Sequence, residues 1–187
     1  MKKKWNFDGP DGNLKYWHDL RKEPRNFFNK QSGGGSVMVW TAFDFNGQVG
    51  LAFLDGRQNS PKYIETLENH LMPFSENIGG RNWEYQHDNA PTHTSSATKN
   101  YLNSKNVTAL EWPPLSPDLN PIENVWGIMS RKVYENGGQF YSVNAFIQTL
   151  IESAWYNLEL EILQTLIMSM EKRVYGVLLK NGKTLNY

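Results

Sequence analysis

Two runs of β-forming residues, Ser36-Val37-Met38-Val39-Trp40-Thr41-Ala42-Phe43 and Val49 to Leu54, flank Asn46-Gly47. Branched and aromatic side chains suit a pleated, half-buried surface, and Asn-Gly supplies the positive-φ pair of a type I′ turn. This stretch therefore predicts an antiparallel hairpin. The period then changes. Asn59 or Ser60 can cap a helix with Pro61 at its first position, and Tyr63, Ile64, Leu67, Leu71 and Met72 fall on one face of it. Trp83 to Asp88 reads as a short strand, about Pro91 to Ser104 as a helix, and Val107 to Trp112 as another strand. The order β-β-α-β-α-β is mixed α/β.

A proline-rich loop at 113–121 precedes three helical stretches near 121–136, 142–157 and 159–172, which would cover the sheet. Val174 to Gly182 reads as a helical continuation with a glycine stop. Upstream, Trp5 to Gly35 is rich in Gly, Asp, Pro, Arg and Lys, lacks sustained periodicity and ends in Gly33-Gly34-Gly35. It reads as an extended arm, which divides the chain into a basic arm at 1–35 and a folded domain at 36–187.

Composition narrows the class. A chain of 187 residues can bury one large core without crosslinks, and the absence of cysteine removes disulfides and thiolate metal sites. No run approaches the roughly 20 apolar residues of a membrane helix, and no apolar stretch follows Met1-Lys2-Lys3-Lys4-Trp5 to make a signal peptide. The expectation is a soluble intracellular protein with no membrane partner. Net charge is zero, but residues 1–35 hold eight Lys/Arg against four Asp/Glu, so contacts with a polyanion would concentrate there.

The candidate chemistry lies in two carboxylates separated by 34 residues. Asp88 stands in Gln86-His87-Asp88-Asn89-Ala90-Pro91-Thr92-His93, and Glu123 in Ser116-Pro117-Asp118-Leu119-Asn120-Pro121-Ile122-Glu123-Asn124. Hard divalent cations prefer oxygen ligands, and an Asp at a strand's C-terminal end can meet a Glu in the first turn of a neighbouring helix. Each residue also has a plainer reading. Asp88 suits a helix-entry turn, and Asn120, Pro121 and Glu123 could form a variant capping box.

Together with Ser36 to Trp40 and Trp112-Pro113-Pro114, these motifs in this order resemble Tc/mariner-superfamily DDE transposases across essentially the whole chain. The resemblance implies an RNase H-like α/β fold, a mixed sheet flanked by helices. It also implies metal-dependent DNA cleavage and strand transfer, with Asp88 and Glu123 as catalytic metal ligands for Mg2+ or Mn2+. The partners implied are transposon ends and target DNA, with a possible homodimer, in the nucleus. Arg21, Lys22, Arg25 and Lys30, interleaved with Trp17, Phe27 and Phe28, would belong to a clamp loop reaching toward DNA. His93 would orient a carboxylate or touch phosphate, with a solvent-facing histidine as the plainer alternative. Arg131 and Lys132 could meet phosphate or simply favour a solvated helix face.

Asn6-Phe7-Asp8-Gly9-Pro10-Asp11-Gly12 matches a run that follows the family's first catalytic Asp, and counting back places that Asp at about Met1. The chain is therefore expected to lack this ligand, most of the central first strand and the N-terminal DNA-reading region. Asp8 and Asp11 lie too far past the strand end to replace it. Cleavage is then expected to be impaired. The alternative is a catalytically inactive, domesticated or relic module that binds DNA or protein. Loss of a central strand would also leave unpaired edges, unless Met1 to Phe7 pairs as a shortened strand.

Overall fold

The protein is described by a computed structural model over residues 1–6, 35–77, 83–111, 113–114, 116–134 and 144–182. Strand β1 is Lys2–Asn6, β2 is Ser36–Asp44 and β3 is Gly47–Leu54. They form one antiparallel sheet in the order β1-β2-β3. The expected hairpin is present, but its turn differs from type I′. Asp44 pairs with Gly47, so Phe45 and Asn46 are the loop residues. Neither has positive φ, which falls instead on Gly47 at 136°. The Asp44 carboxylate closes the turn by accepting from the Asn46 amide at 2.9 Å and its side-chain amide at 3.1 Å.

Residues Lys2–Asn6 pair as the shortened strand that the sequence reading allowed. Lys2 to Asn6 pair with Trp40 to Ser36, and Met1 extends the ladder through its amine to the Thr41 carbonyl (2.6 Å) and the Thr41 amide to its own carbonyl (2.9 Å). Trp5, which composition assigns to the arm, is a buried core residue at 1 % exposure. Strands β4 (Glu84–Tyr85) and β5 (Thr108–Ala109) form a separate parallel pair, each shorter than the sequence suggests. Between this pair and β2 lies a cavity of about 360 Å3 lined by Met1, Thr41, Phe43, Tyr85, Gln86 and Ile122 among others.

Helices α1 (Ser60–His70), α2 (Met72–Asn77), α3 (Pro91–Thr94) and α4 (Ser96–Ser104) pack on one side. On the other are α5 (Pro121–Val133), α6 (Asn144–Tyr156) and α7 (Leu160–Leu179). Alternation along β2 divides the core accordingly. Val37 and Val39 join Trp5, Val125, Trp126, Met129, Ile151, Trp155 and Leu163, while Trp40 joins Tyr63, Leu67, Leu102 and Val107 across the sheet. Each fully buried aliphatic or aromatic side chain contributes about 1.5–3 kcal/mol, so these two layers supply most of the driving force.

One helical expectation needs correction. The single helix at 91–104 is broken at Ser95, whose backbone is extended (φ −61°, ψ 150°) and whose hydroxyl caps α4 by accepting from the Thr98 amide at 3.2 Å. The helical continuation through 174–182 is as expected: α7 runs unbroken to Leu179 and is followed by positive φ at Asn181 and Gly182. No helix among the described residues is long and apolar enough to cross a membrane.

Candidate active site

Asp88 follows β4 at the mouth of the fold, where chain leaving the strand turns into α3. Pro91 sits at the first helical position and cannot donate a backbone hydrogen bond. The Ala90 amide instead donates to Asp88 Oδ1 at 3.0 Å, which fixes the carboxylate. The break at Ser95 makes α3 a single turn and directs His93 inward. Its ring has no exposed surface, stacks on Tyr63 with centroids 4.1 Å apart, and places Nδ1 2.5 Å from Asp88 Oδ1. Behind it, the Tyr63 and Tyr85 hydroxyls are 3.2 Å apart, and His87 meets the His93 ring edge-on at 5.5 Å.

The electrostatics of the pair follow from burial. Burial lowers the His93 pKa below the usual imidazole value and outweighs the raising effect of Asp88. For Asp88, burial pushes the carboxyl up. The His93 bond and charge, the Ala90 amide and the chain's amino terminus outweigh that and hold it at about 2. Asp88 is thus ionised throughout the neutral range, with its side chain 43 % exposed and Oδ2 free of hydrogen bonds among the described residues.

Glu123 lies in the first turn of α5, exposed to solvent, with its amide donating to the Asn120 carbonyl at 3.1 Å. The capping-box reading fails. Asn120 makes no side-chain cap, and its buried amide group donates to Met1 Sδ at 2.8 Å. A second tie joins the two motifs directly, from Gln86 Nε2 to the Leu119 carbonyl at 3.4 Å. Met1 therefore sits where the two motifs meet. Burial lowers its amine to about 5, while the negative charges of both Asp88 and Glu123 pull the other way. The sequence signal for this position was only the count back from Asn6.

The donor set fits a hard divalent ion in part. Two carboxylates offer oxygen, but Met1 contributes a thioether, a soft and poor ligand for Mg2+. Among the described residues no group of three or more His, Asp or Glu is placed to hold a metal.

The other nominated residues divide. Full burial is incompatible with a phosphate contact by His93, whose position serves Asp88 instead. Arg131 and Lys132 lie in the last turn of α5, about 12 Å along the axis from Glu123, and suit the negative end of the helix dipole. Lys132 donates to the Asn157 carbonyl at 3.4 Å. Arg21, Lys22, Arg25, Lys30, Asp8 and Asp11 lie outside the described residues. Lys2, not singled out by sequence, places Nζ 3.2 Å from Thr92 Oγ1 and 5.8 Å from the Tyr63 ring centre.

Residues 13–147 match the DDE superfamily endonuclease family. The chain is 40% identical over 185 residues to the Tc3 transposase of Caenorhabditis elegans, covering 99% of this chain and 56% of that protein. It is 37% identical over 155 residues to the Tcb1 transposase of Caenorhabditis briggsae, covering 83% and 56%. The chain thus spans about half the length of the curated relatives it matches. Its fold matches a Mos1 transposase paired-end complex with left transposon end at a TM-score of 0.85 and 19% identity, covering 100% of this chain and 55% of that one. It also matches the catalytic domain of Mos1 mariner transposase at 0.70 and 20%, covering 81% and 76%. The mixed α/β architecture is RNase H-like, and the chain belongs to the DDE superfamily endonucleases as a Tc/mariner-type transposase catalytic region.

Proposed function

We propose that the chain contributes to a metal-dependent DNA cleavage and strand-transfer centre, with Asp88 and Glu123 as metal ligands. The observation that carries this reading is the joining of the two motifs, by Gln86 Nε2 donating to the Leu119 carbonyl at 3.4 Å and by Asn120, three residues before Glu123, donating to Met1 Sδ at 2.8 Å. A divalent ion, Mg2+ or Mn2+, held by them would stabilise the attacking and leaving oxygens of an in-line phosphoryl displacement.

The chain's own residues set the rest. His93 and the Ala90 amide hold Asp88 by one oxygen and leave the other facing out. Glu123 presents its carboxylate from an exposed first turn. Met1 itself offers neither an oxygen ligand nor a negative charge beside these carboxylates, so the 187-residue chain taken alone is expected to cleave weakly. DNA would be the partner, at transposon ends and target sites, with Arg21, Lys22, Arg25 and Lys30 contributing phosphate contacts, in a possible homodimer acting in the nucleus.

The test is nicking of a DNA carrying the element's ends by the 187-residue chain with Mn2+ and with Mg2+. Weak activity abolished by Asp88→Asn and by Glu123→Gln supports the reading, and nicking as fast as an intact transposase refutes the impairment. The buried amine near both carboxylates favours a second reading, a module that binds DNA or a transposase without chemistry. Salt-sensitive DNA binding indifferent to Asp88→Asn, with no nicking, would select it.

A further inference from the structure

Arg173 is the one Lys or Arg among the described residues buried as deeply as the core, at 2 % exposure on α7. Its bonds converge on the segment that carries Glu123. Nη1 donates to the Asp118 carbonyl at 2.8 Å and to Asn124 Oδ1 at 2.8 Å, while Nε donates to Ser169 Oγ at 2.8 Å. The Ser169 hydroxyl in turn donates to the Leu166 carbonyl at 2.6 Å, so the guanidinium is anchored on its own helix. Asp118 lies in the one-turn 3-10 helix Pro117–Leu119, and Asn124 is next to Glu123 in α5. One planar group thus grips both sides of Asn120 to Glu123.

Stability is a weak reason for this arrangement. A buried cation loses hydration, and a positive charge beside the N-terminal end of α5 opposes that helix's dipole. What a rigid fork supplies is geometry, because it fixes two acceptors relative to each other as a flexible ammonium cannot. We propose that Arg173 is a positioning residue that locks residues 118–124 and so aims Glu123 toward Asp88. The aim matters for catalysis only if Glu123 is a metal ligand, as proposed above; the lock itself does not depend on that reading.

The test compares the full chain with Arg173→Lys and Asn124→Ala by hydrogen exchange resolved to single amides, followed by Mn2+ titration monitored by electron paramagnetic resonance. The Asn120 and Glu123 amides, bonded to the Pro117 and Asn120 carbonyls, should exchange at least tenfold faster in both variants, while those of Met129 to Val133 change little. Lysine should not rescue, since it keeps charge and loses the fork. Mn2+ affinity should fall about tenfold, the usual scale for loss of an outer-shell partner. Exchange that rises equally throughout α5, or not at all, overturns the lock. Faster local exchange with unchanged Mn2+ affinity overturns the aim. Should Arg173→Lys fail to fold, Asn124→Ala, which removes one acceptor on a half-buried residue, decides alone. Wild-type chain without Mn2+ binding sensitive to Asp88→Asn would sink the metal-ligand reading instead, leaving exchange to judge the lock.

Discussion

His93 Nδ1 lies 2.5 Å from Asp88 Oδ1, joining a ring with no exposed surface to a carboxylate open to solvent on its other side. The buried partner is fixed by packing on Tyr63, and the open partner inherits that fixity. His93→Phe keeps an aromatic ring on Tyr63 while removing the donor. The Asp88 carboxyl should then titrate above its present value of about 2, toward the ordinary 3.8, as followed by carbon-detected NMR. A titration unchanged by the substitution would show that the bond does not hold Asp88.

Stability should rise with pH from about 5 to 8. The Met1 amine is lowered from 8.0 to about 5 by burial, so as pH falls below 8 the unfolded chain takes up a proton the folded one refuses. By linkage this costs up to about 4 kcal/mol across that window, for a chain whose Met1 amine is free. His93, also lowered by burial, acts in the same direction below 6.5. Asp88 is depressed, so its contribution is present above 3.8 and is lost only as pH falls toward 2. Urea midpoints at pH 5.5 and pH 8 check the sign, and equal midpoints would contradict it.

Ser95→Ala removes the cap of α4 and should cost about 1 kcal/mol in chemical denaturation. It also removes the bond from the Ser95 hydroxyl to Thr98 Oγ1 at 3.0 Å, leaving the bond Thr98 Oγ1 donates to the Thr92 carbonyl at 2.7 Å to hold the junction of α3 and α4 alone. The His93 ring resonances should therefore shift in the variant. Loss of stability without any shift at His93 would separate the cap from the site.

Trp126 and Trp5 meet edge-on at 6.2 Å, tying α5 to the short first strand. Trp126→Ala should cost about 3–5 kcal/mol. Gly50→Ala should also destabilise, because a Cβ there would stand 3.1 Å from the His70 carbonyl oxygen and 3.3 Å from the Trp40 ring. Thermal melts of both variants check these expectations.

Much of this was legible in the sequence, for reasons that differ by element. The β2–β3 hairpin and α1 follow from period and capping chemistry, and the places of Asp88 after β4 and Glu123 in the first turn of α5 from strand and proline patterns. The turn misplaced by one residue reflects a side-chain cap from Asp44 that competes with Asn-Gly geometry. The strand Lys2–Asn6 was obscured because three lysines look like a solvated tail, and only Trp5 points to the core. Ser95 could not be seen as a break inside a polar helical stretch. Arg173 was hidden for a general reason: a helical arginine is ordinarily a surface residue, and its burial depends on acceptors at Asp118 and Asn124, about fifty residues away.

The central claim is that Asp88 and Glu123 form one metal site, and anomalous diffraction from crystals of the chain soaked in Mn2+ tests it most directly. The expected result is a peak within about 2.2 Å of both an Asp88 and a Glu123 oxygen. A peak bound to only one of them, or none at either at saturating Mn2+, would contradict the account.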